Sequence, residues 1–401
     1  MTLLRIVFKS LRQHALSTGV TAASIALAGG LLMAVWSVKE ESRKTFTGVT
    51  GGFDAVLGAR SSQLQLVLNS IFHLEASPGN LAHADYLDIK KDARVAHAVP
   101  IAVGDNYRGY RLVGTTLEML NDVEYAPGRK FKVVPPGRVF DPALREAVVG
   151  SFAARRLGLK YGDTFQPFHG LTFNEREQHA ETYVVVGVLE PSNTPADRVI
   201  WIPLEGVQKM GGHDPKTATD VSAVLVKFKS PISGKQLEML YNKQGSRLTL
   251  AWPIGTIIAQ LLDKISWVDR VLALVAYLVA LVATGSVLAS IYNSMNERRR
   301  EIAILRALGA RRRTIFSSII LECAAISALG MAAAFLVYGV ILGTVAAVIR
   351  AQTGVVLDPL ALHPVMLWAP LGMTALGALA GIVPAWKAYQ TDVADNLVPH
   401  S

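Results

Sequence analysis

One acidic side chain, Glu322, stands inside a long apolar run, Thr314 to Ile349. Burying an ionisable group in hydrocarbon is costly, so such a group is a functional candidate by default. Two chemistries suit it: contact with a proton or substrate, or an ion pair with an arginine. It stands ~12 Å from the start of its run if the run is helical. That distance lets it reach the interface or the arginines beside it, and the structural Arg–Glu pair is the favoured reading. The arginines are the second feature. Seven lie between Glu297 and Arg313 against two glutamates, so this short stretch carries +5. Arginine at that density beside a span marks the cytoplasmic side of a membrane. If the centre is helical, Ile302, Leu305, Arg306, Leu308 and Gly309 fall near one side.

Other chemistry is sparse. No G-x-x-x-x-G-K-[ST] occurs; Ser233-Gly234-Lys235-Gln236 lacks both the upstream glycine and the final hydroxyl that a phosphate cradle needs. The chain therefore does not hydrolyse ATP, and neither catalytic residues nor a bound cofactor are expected. No G-x-S-x-G or H-E-x-x-H supports a hydrolase. Seven of the nine histidines (His73, His83, His97, His169, His179, His213 and His363) fall outside the cytosol by the topology below. None pairs at i, i+4 and no ligand cluster is visible, so they read as scattered surface residues and no metal site is assigned. Handling of a metal or metal-related cargo is the alternative. The single cysteine, Cys323, excludes an intrachain disulfide and a CxxC site.

The elements that must position these residues follow from hydropathy and charge. Half of the 401 residues are hydrophobic (51%) and mean hydropathy is +0.33, which predicts a membrane part plus one soluble domain. Of the net charge of +9, the arginine stretch and Arg5, Lys9 and Arg12 supply eight. Both groups flank spans, so the basic balance reads as topology and not as nucleic-acid binding. Residues 1–14 are amphipathic and basic, an interfacial helix. Residues 15–38 are charge-free and too long for a signal-peptide core, hence a first span. Small residues at Ala22, Ala26 and Gly30 suit close helix packing or dimerisation.

Residues 39–270 turn mixed, with strand-like runs such as 182–189 and helical patches near 82–91, 142–157 and 235–242. This predicts an α+β domain inserted between the first two helices, outside the cytosol. Residues 271–295 form the second span and 296–313 the cytoplasmic segment. The third apolar run, 314–349, exceeds the ~20 residues needed to cross. It is expected either to project beyond the membrane or to break near Gly339 or Gly343. A short outer loop, 350–364, leads to a fourth span at 365–386, with Pro384 positioned to bend it, and a cytoplasmic tail at 387–401. The fold class is thus membrane α-helical, four transmembrane helices, plus the α+β domain.

Three stretches resemble one family. Arg299 to Ala310, Arg-Arg-Glu-Ile-Ala-Ile-Leu-Arg-Ala-Leu-Gly-Ala, is similar to the coupling segment of the MacB/FtsX-type permeases, four-span subunits of certain ABC transporters. Glu146 to Phe165, Val185 to Pro191, Asp197-Arg198 and Ile200 to Leu204 resemble the periplasmic core domain of the MacB type. Gly381 to Ala388 is similar to the family's closing Gly-x-x-Pro-Ala motif.

The resemblance implies a non-catalytic permease subunit of the bacterial inner membrane, with its large domain in the periplasm. It implies an ABC ATPase partner in two copies and a dimer with itself or a similar permease. It implies mechanotransmission, with Glu301, Arg306, Leu308 and Gly309 as the ATPase-coupling residues. Export or efflux is the expected role. An FtsX-like control of cell-wall hydrolases and lipoprotein extraction are the alternatives. A periplasmic adaptor or substrate protein is a further expected partner; nucleic acid is not.

Overall fold

Apolar runs of twenty or more residues cannot leave backbone polar groups unpaired in lipid, so they must be helical. A computed structural model describes residues 3–211, 219–297, 299–307, 309–358 and 361–390. The chain begins with α1 (Leu3–Gln13) and α2 (Ala15–Gly48), then β1 (Ala55–Ala59), α3 (Gln63–Ser70), α4 (His83–Lys91), β2 (Val95–Tyr107), β3 (Tyr110–Thr115) and α5 (Leu117–Asn121). It continues through β4 (Glu124–Ala126), β5 (Arg129–Lys130), β6 (Glu146–Val149), α6 (Ser151–Leu157), β7 (Thr164–Phe165), β8 (Phe168–His169), β9 (Tyr183–Val188) and β10 (Ile200–Pro203). It closes with α7 (Leu204–Gln208), β11 (Ala223–Phe228), α8 (Pro231–Glu238), β12 (Leu248–Ala251), α9 (Ile254–Glu297), α10 (Arg299–Ala307), α11 (Arg312–Thr353), α12 (Val365–Ala380) and α13 (Ile382–Gln390).

The chain divides into two units. The first holds residues 1–42, 265–347 and 358–401; the second holds 43–264 and 348–357. Among the described residues, four helical stretches are long and apolar enough to cross a membrane: Ala15–Gly48, Ile254–Met295, Arg312–Thr353 and Val365–Tyr389.

In the first unit, small residues set the packing. A Cβ on Gly330 of α11 would stand 2.7 Å from Ile25 Cβ and 2.8 Å from the Ala22 carbonyl oxygen. A Cβ on Gly30 would meet Val337 at 2.6 Å. The small face of the first span is therefore consumed by α11 of the same chain, where backbone-to-backbone approach replaces a hydrophobic drive that lipid cannot supply. Helix α9 buries Ala276, Ala280, Ala283, Val287 and Ile291 on one stripe, while Leu281 and Val282 stay exposed as a lipid-facing side should. Helix α11 runs unbroken through Gly339 and Gly343, so the long third run projects. The last helix does break, at Gly381: Pro384 has no N–H to offer the Ala380 carbonyl, and its ring crowds that position.

In the second unit, a mixed sheet of ten strands runs in the order β12-β1-β11-β2-β3-β10-β6-β9-β7, with β8 pairing to β2. The β3–β10 and β6–β9 pairs are parallel and the rest antiparallel. Strand sequences such as Ala55-Val56-Leu57 and Ala147-Val148-Val149 are apolar at every position because both faces are covered. One face packs on α3 and α5, and the other on α4, α6 and α7. The helical patch expected at 142–157 is corrected. Residues 142–145 form a turn, Glu146–Val149 are strand β6, whose β-branched Val148 and Val149 pair with β9 and β10, and only Ser151–Leu157 is helix. Gly158 ends that helix at φ +72°, and Gly162 at φ +89° turns the chain into β7.

The ends of three long helices belong to this second core. Phe46 of α2, Ile254, Ile257 and Ile258 of α9, and Ile349 of α11 share one cluster with sheet residues Val99, Val113 and Trp201. A Cβ on Gly255 would stand 2.7 Å from the Thr47 carbonyl, so α9 starts hard against the end of α2. Arg43 Nη1 donates to Asp263 Oδ1 at 2.6 Å between the same helices. The stretch expected as a short outer loop, 350–364, differs too. Helix α11 continues to Thr353, and Val355 and Leu357 beyond it are fully buried.

The Gly330 contact predicts a loss on enlargement. Gly330→Leu should destabilise the full chain by about 1–3 kcal/mol, because the Ala22 carbonyl oxygen and the Ile25 Cβ, both fixed by the backbone of α2, cannot rotate away. A thermal midpoint in detergent checks this; an unchanged midpoint contradicts the close α2–α11 approach.

Candidate functional site

The arginine-rich segment is a short helix between two long ones. Its Glu-Ile-Ala-Ile-Leu-Arg core is a good helix former, and α10 spans Arg299–Ala307. Ile302 and Ala303 are buried, Ile302 within the core cluster of the first unit, while Ile304 is exposed. Gly309 stands at φ +97°, the left-handed cap that ends a helix, and its N–H donates to the Arg306 carbonyl at 3.0 Å. Arg306 is half-buried. Of the four coupling residues read from the sequence, Arg306 and Gly309 thus sit in the last turn and at the cap. Glu301 lies in α10 with its side chain outside the described residues, and Leu308 lies outside them altogether.

Glu322 is buried in α11, and Ser10 Oγ of α1 donates to its Oε1. Helix α1 thus reaches this acid, a contact that no local signal in the sequence reveals. A second buried acid was missed. Glu41 was read as the start of the soluble domain. It is instead 5% exposed within α2, with His363 Nε2 3.8 Å from its Oε2. Its place at the polar end of a span hid it. At the opposite end, Lys387 Nζ lies 4.1 Å from the ring centroid of Tyr292 and ties α13 to α9.

In the second unit, the stretches that resemble a core domain explain themselves as folding devices. Asp197 is buried, and its carboxylate accepts from Ser192 N at 3.0 Å, Ser192 Oγ at 2.8 Å and Asn193 N at 2.9 Å. Gly150 lets that turn close, since a Cβ there would meet the Asp197 backbone at 2.5 Å. Next along the chain, Arg198 lies over Tyr110 and Phe152 and against Gly354, which caps α11 at φ +77°. A cleft of about 770 Å³ opens elsewhere on this unit, with His97, Glu124, Lys130, Lys227 and Lys229 on its wall. Lys227 there pairs with Asp54 at 3.0 Å and His97 with Glu118 at 2.9 Å.

The histidines are not all scattered. The register of β2 with β8 sets Asp105 directly opposite His169, and the chain returns so that His179 Nε2 lies 3.1 Å from Asp105 Oδ1. Ten residues separate the two histidines, and no helical spacing could reveal them. A strand-hairpin reading of 164–180 would have been the signal. His73 is a separate case. Its Nδ1 is out of solvent, its ring packs edge-on to Trp201, and its pKa falls to about 3. Burial is the main cause, followed by the charges of Arg111 and Arg198.

A multi-pass protein carrying a mixed α+β domain between its first two apolar helices is the class these units define. Residues 18–240 match the MacB-like periplasmic core domain, and residues 273–393 match the FtsX-like permease C-terminal region. The chain belongs to the MacB/FtsX-type family of ABC transporter permeases. That family supplies the permease component, which is itself non-catalytic. Among solved structures, the extracellular domain of the noncanonic ABC-type transporter YknZ from Gram-positive bacteria is similar at 18% identity. That match covers 49% of this chain and 97% of that one, with a TM-score of 0.31. The periplasmic region of MacB from Actinobacillus actinomycetemcomitans is similar at 12% identity over 54% of this chain and 94% of that one, with a TM-score of 0.36. No curated protein sequence matches. The family assignment rests on the two sequence matches alone.

The state of His73 predicts a pH dependence. Its folded pKa lies below the unfolded value of 6.5, so the unfolded chain binds the extra proton first. Stability should be full above about pH 6.5 and fall as pH drops toward 3, by at most about 1.4 kcal/mol per pH unit. His73→Asn, which tolerates the φ of +55° at this position, should flatten that slope. Thermal midpoints of the two full-length proteins from pH 7 to 4 check this; parallel curves would exclude His73 as the source.

Proposed function

We propose that this chain is the permease subunit of a bacterial ABC transporter that works by mechanotransmission, in the service of export or efflux. A separate ATPase, present in two copies, binds the segment around α10. Two permeases, identical or similar, pair in the inner membrane with their large domains in the periplasm. Closure of the ATPases moves α10, and α9 and α11 carry that motion to the domain.

One observation carries the reading. Helix α9 is continuous from Ile254 to Glu297 and α11 from Arg312 to Thr353. At one end they flank α10; at the other, Ile254, Ile257, Ile258 and Ile349 are packed into the core of the sheet domain. An unbroken helix whose end is embedded in a close-packed core transmits displacement, because packed interiors are poorly compressible. A flexible linker would absorb it. The segment itself is suited to a docking role. Ile302 and Ala303 anchor it to the first unit, Ile304 stays exposed, and a left-handed glycine cap terminates it.

Arg306→Glu should lower permease-stimulated ATP hydrolysis at least about tenfold, as expected for reversing a charge at a close interfacial contact. Copurification of the ATPase should persist, since Ile302 and Ala303 still hold α10 in place. The check is ATPase turnover of the reconstituted complex, with stoichiometry from a mild-detergent pull-down. Full stimulation in the variant would falsify the coupling role. A wild-type chain that retains no ATPase would remove the transporter reading itself.

A further inference from the structure

Three side chains on the domain converge on one point. Asp105 lies near the end of β2 and is fully buried. His169, on β8, faces it across an antiparallel register, with Nδ1 3.4 Å from Asp105 Oδ1. His179, 8% exposed, places Nε2 3.1 Å from the same oxygen. The three ligating atoms all lie within 4.8 Å of one another.

We propose that Asp105 Oδ1, His169 Nδ1 and His179 Nε2 form a binding site for a divalent transition metal of the zinc class. The spacing fits. Zinc bonds to nitrogen and carboxylate oxygen are about 2.0–2.2 Å, and a tetrahedron with such bonds has edges of roughly 3.3–3.5 Å. The two edges at Asp105 Oδ1 are 3.4 and 3.1 Å. The donor set selects the metal. Two imidazoles and one carboxylate suit zinc and its neighbours, whereas calcium and magnesium take oxygen ligands.

The ligands are held by backbone that does not depend on the ion. His169 N donates to the Glu177 carbonyl at 2.7 Å, and His179 N to the Pro167 carbonyl at 2.8 Å. Asn106, next to Asp105, donates through Nδ2 to the Gly170 carbonyl at 2.9 Å. Side chains fixed in this way lose little entropy on binding a metal. A carboxylate wholly out of water also gains more from a divalent cation than from a neutral ring.

Three protein ligands leave a fourth position, as in open zinc sites and unlike closed structural ones. The side chain of His169 is half exposed while Asp105 and His179 are covered, so that position opens on the His169 side. Water fills it, or a donor group from a partner. Between His169 and His179 the loop 172–178 is exposed and polar. A bound ion would pin this loop to β2 at its two ends.

The test uses the full-length chain in detergent micelles, purified without a histidine tag and stripped with a chelator. Equilibrium dialysis against zinc chloride, read by elemental analysis, should give one zinc per chain. His169→Ala, a half-exposed change that leaves the core intact, should weaken zinc binding more than about 100-fold, beyond the loss typical of outer-shell changes. His83→Ala should not. Cobalt(II) in place of zinc should give the visible bands of a tetrahedral N/O site, absent in His169→Ala. Zinc uptake by the stripped chain equal to that of His169→Ala, or no uptake by either, overturns the proposal. The readout involves neither ATP nor a partner, so it stands apart from the transporter reading.

Discussion

A helix that must satisfy its own backbone in lipid has no reason to stop at the membrane boundary, and here the long helices do not. Helix α9 spends its first residues, 254–264, in the sheet domain and the rest in the apolar unit. The same hydrogen-bond ladder serves both environments. What changes is the partner of the apolar stripe: sheet residues such as Val113 and Trp201 at one end, small-residue helix faces at the other. Apolar surface buried in the domain stabilises by roughly 25 cal/mol per Å². In the membrane that term is absent, and close packing replaces it. The rest of the architecture depends on this one rod serving two solvents.

Glycine and alanine positions follow from that constraint. Gly330 against the Ala22 carbonyl and Gly255 against the Thr47 carbonyl are the same device in two settings. Each lets two backbones approach where a methyl group would hold them apart. Among the described residues of the apolar unit, Ser10 Oγ donates to Glu322, and Ser17 Oγ lies 2.7 Å from Ser290 Oγ. Unpaired, such groups would carry a desolvation penalty that nothing nearby offsets.

The domain spends its polar groups differently. Asp197 organises a turn by accepting from two backbone amides and a hydroxyl, and Gly150 admits its backbone. Gly354 carries the end of α11 onto Arg198, the next residue along. The motif residues there shape the chain. The Asp105–His169–His179 group is of another kind, because three side chains that can ligate a metal place their donor atoms within 4.8 Å of one another.

The four apolar runs and the charge bias were legible in the sequence, since hydropathy and arginine placement are local properties. Gly158 and Gly162 turn the chain at positive φ, a conformation that glycine adopts without steric cost. Local signals failed where a distant strand decided the outcome. Residues 146–149 have a helical flank and became strand, because β9 and β10 offered ladder partners. Glu41 looked solvated and is buried, because His363 lies far along the chain and close in space. The small face of α2 admitted a dimer or a neighbour, and only the position of Gly330 chose the neighbour. His169 and His179 share no helical period with each other or with Asp105. Pairing register is a property of two strands at once, and it alone brought three donors to one point.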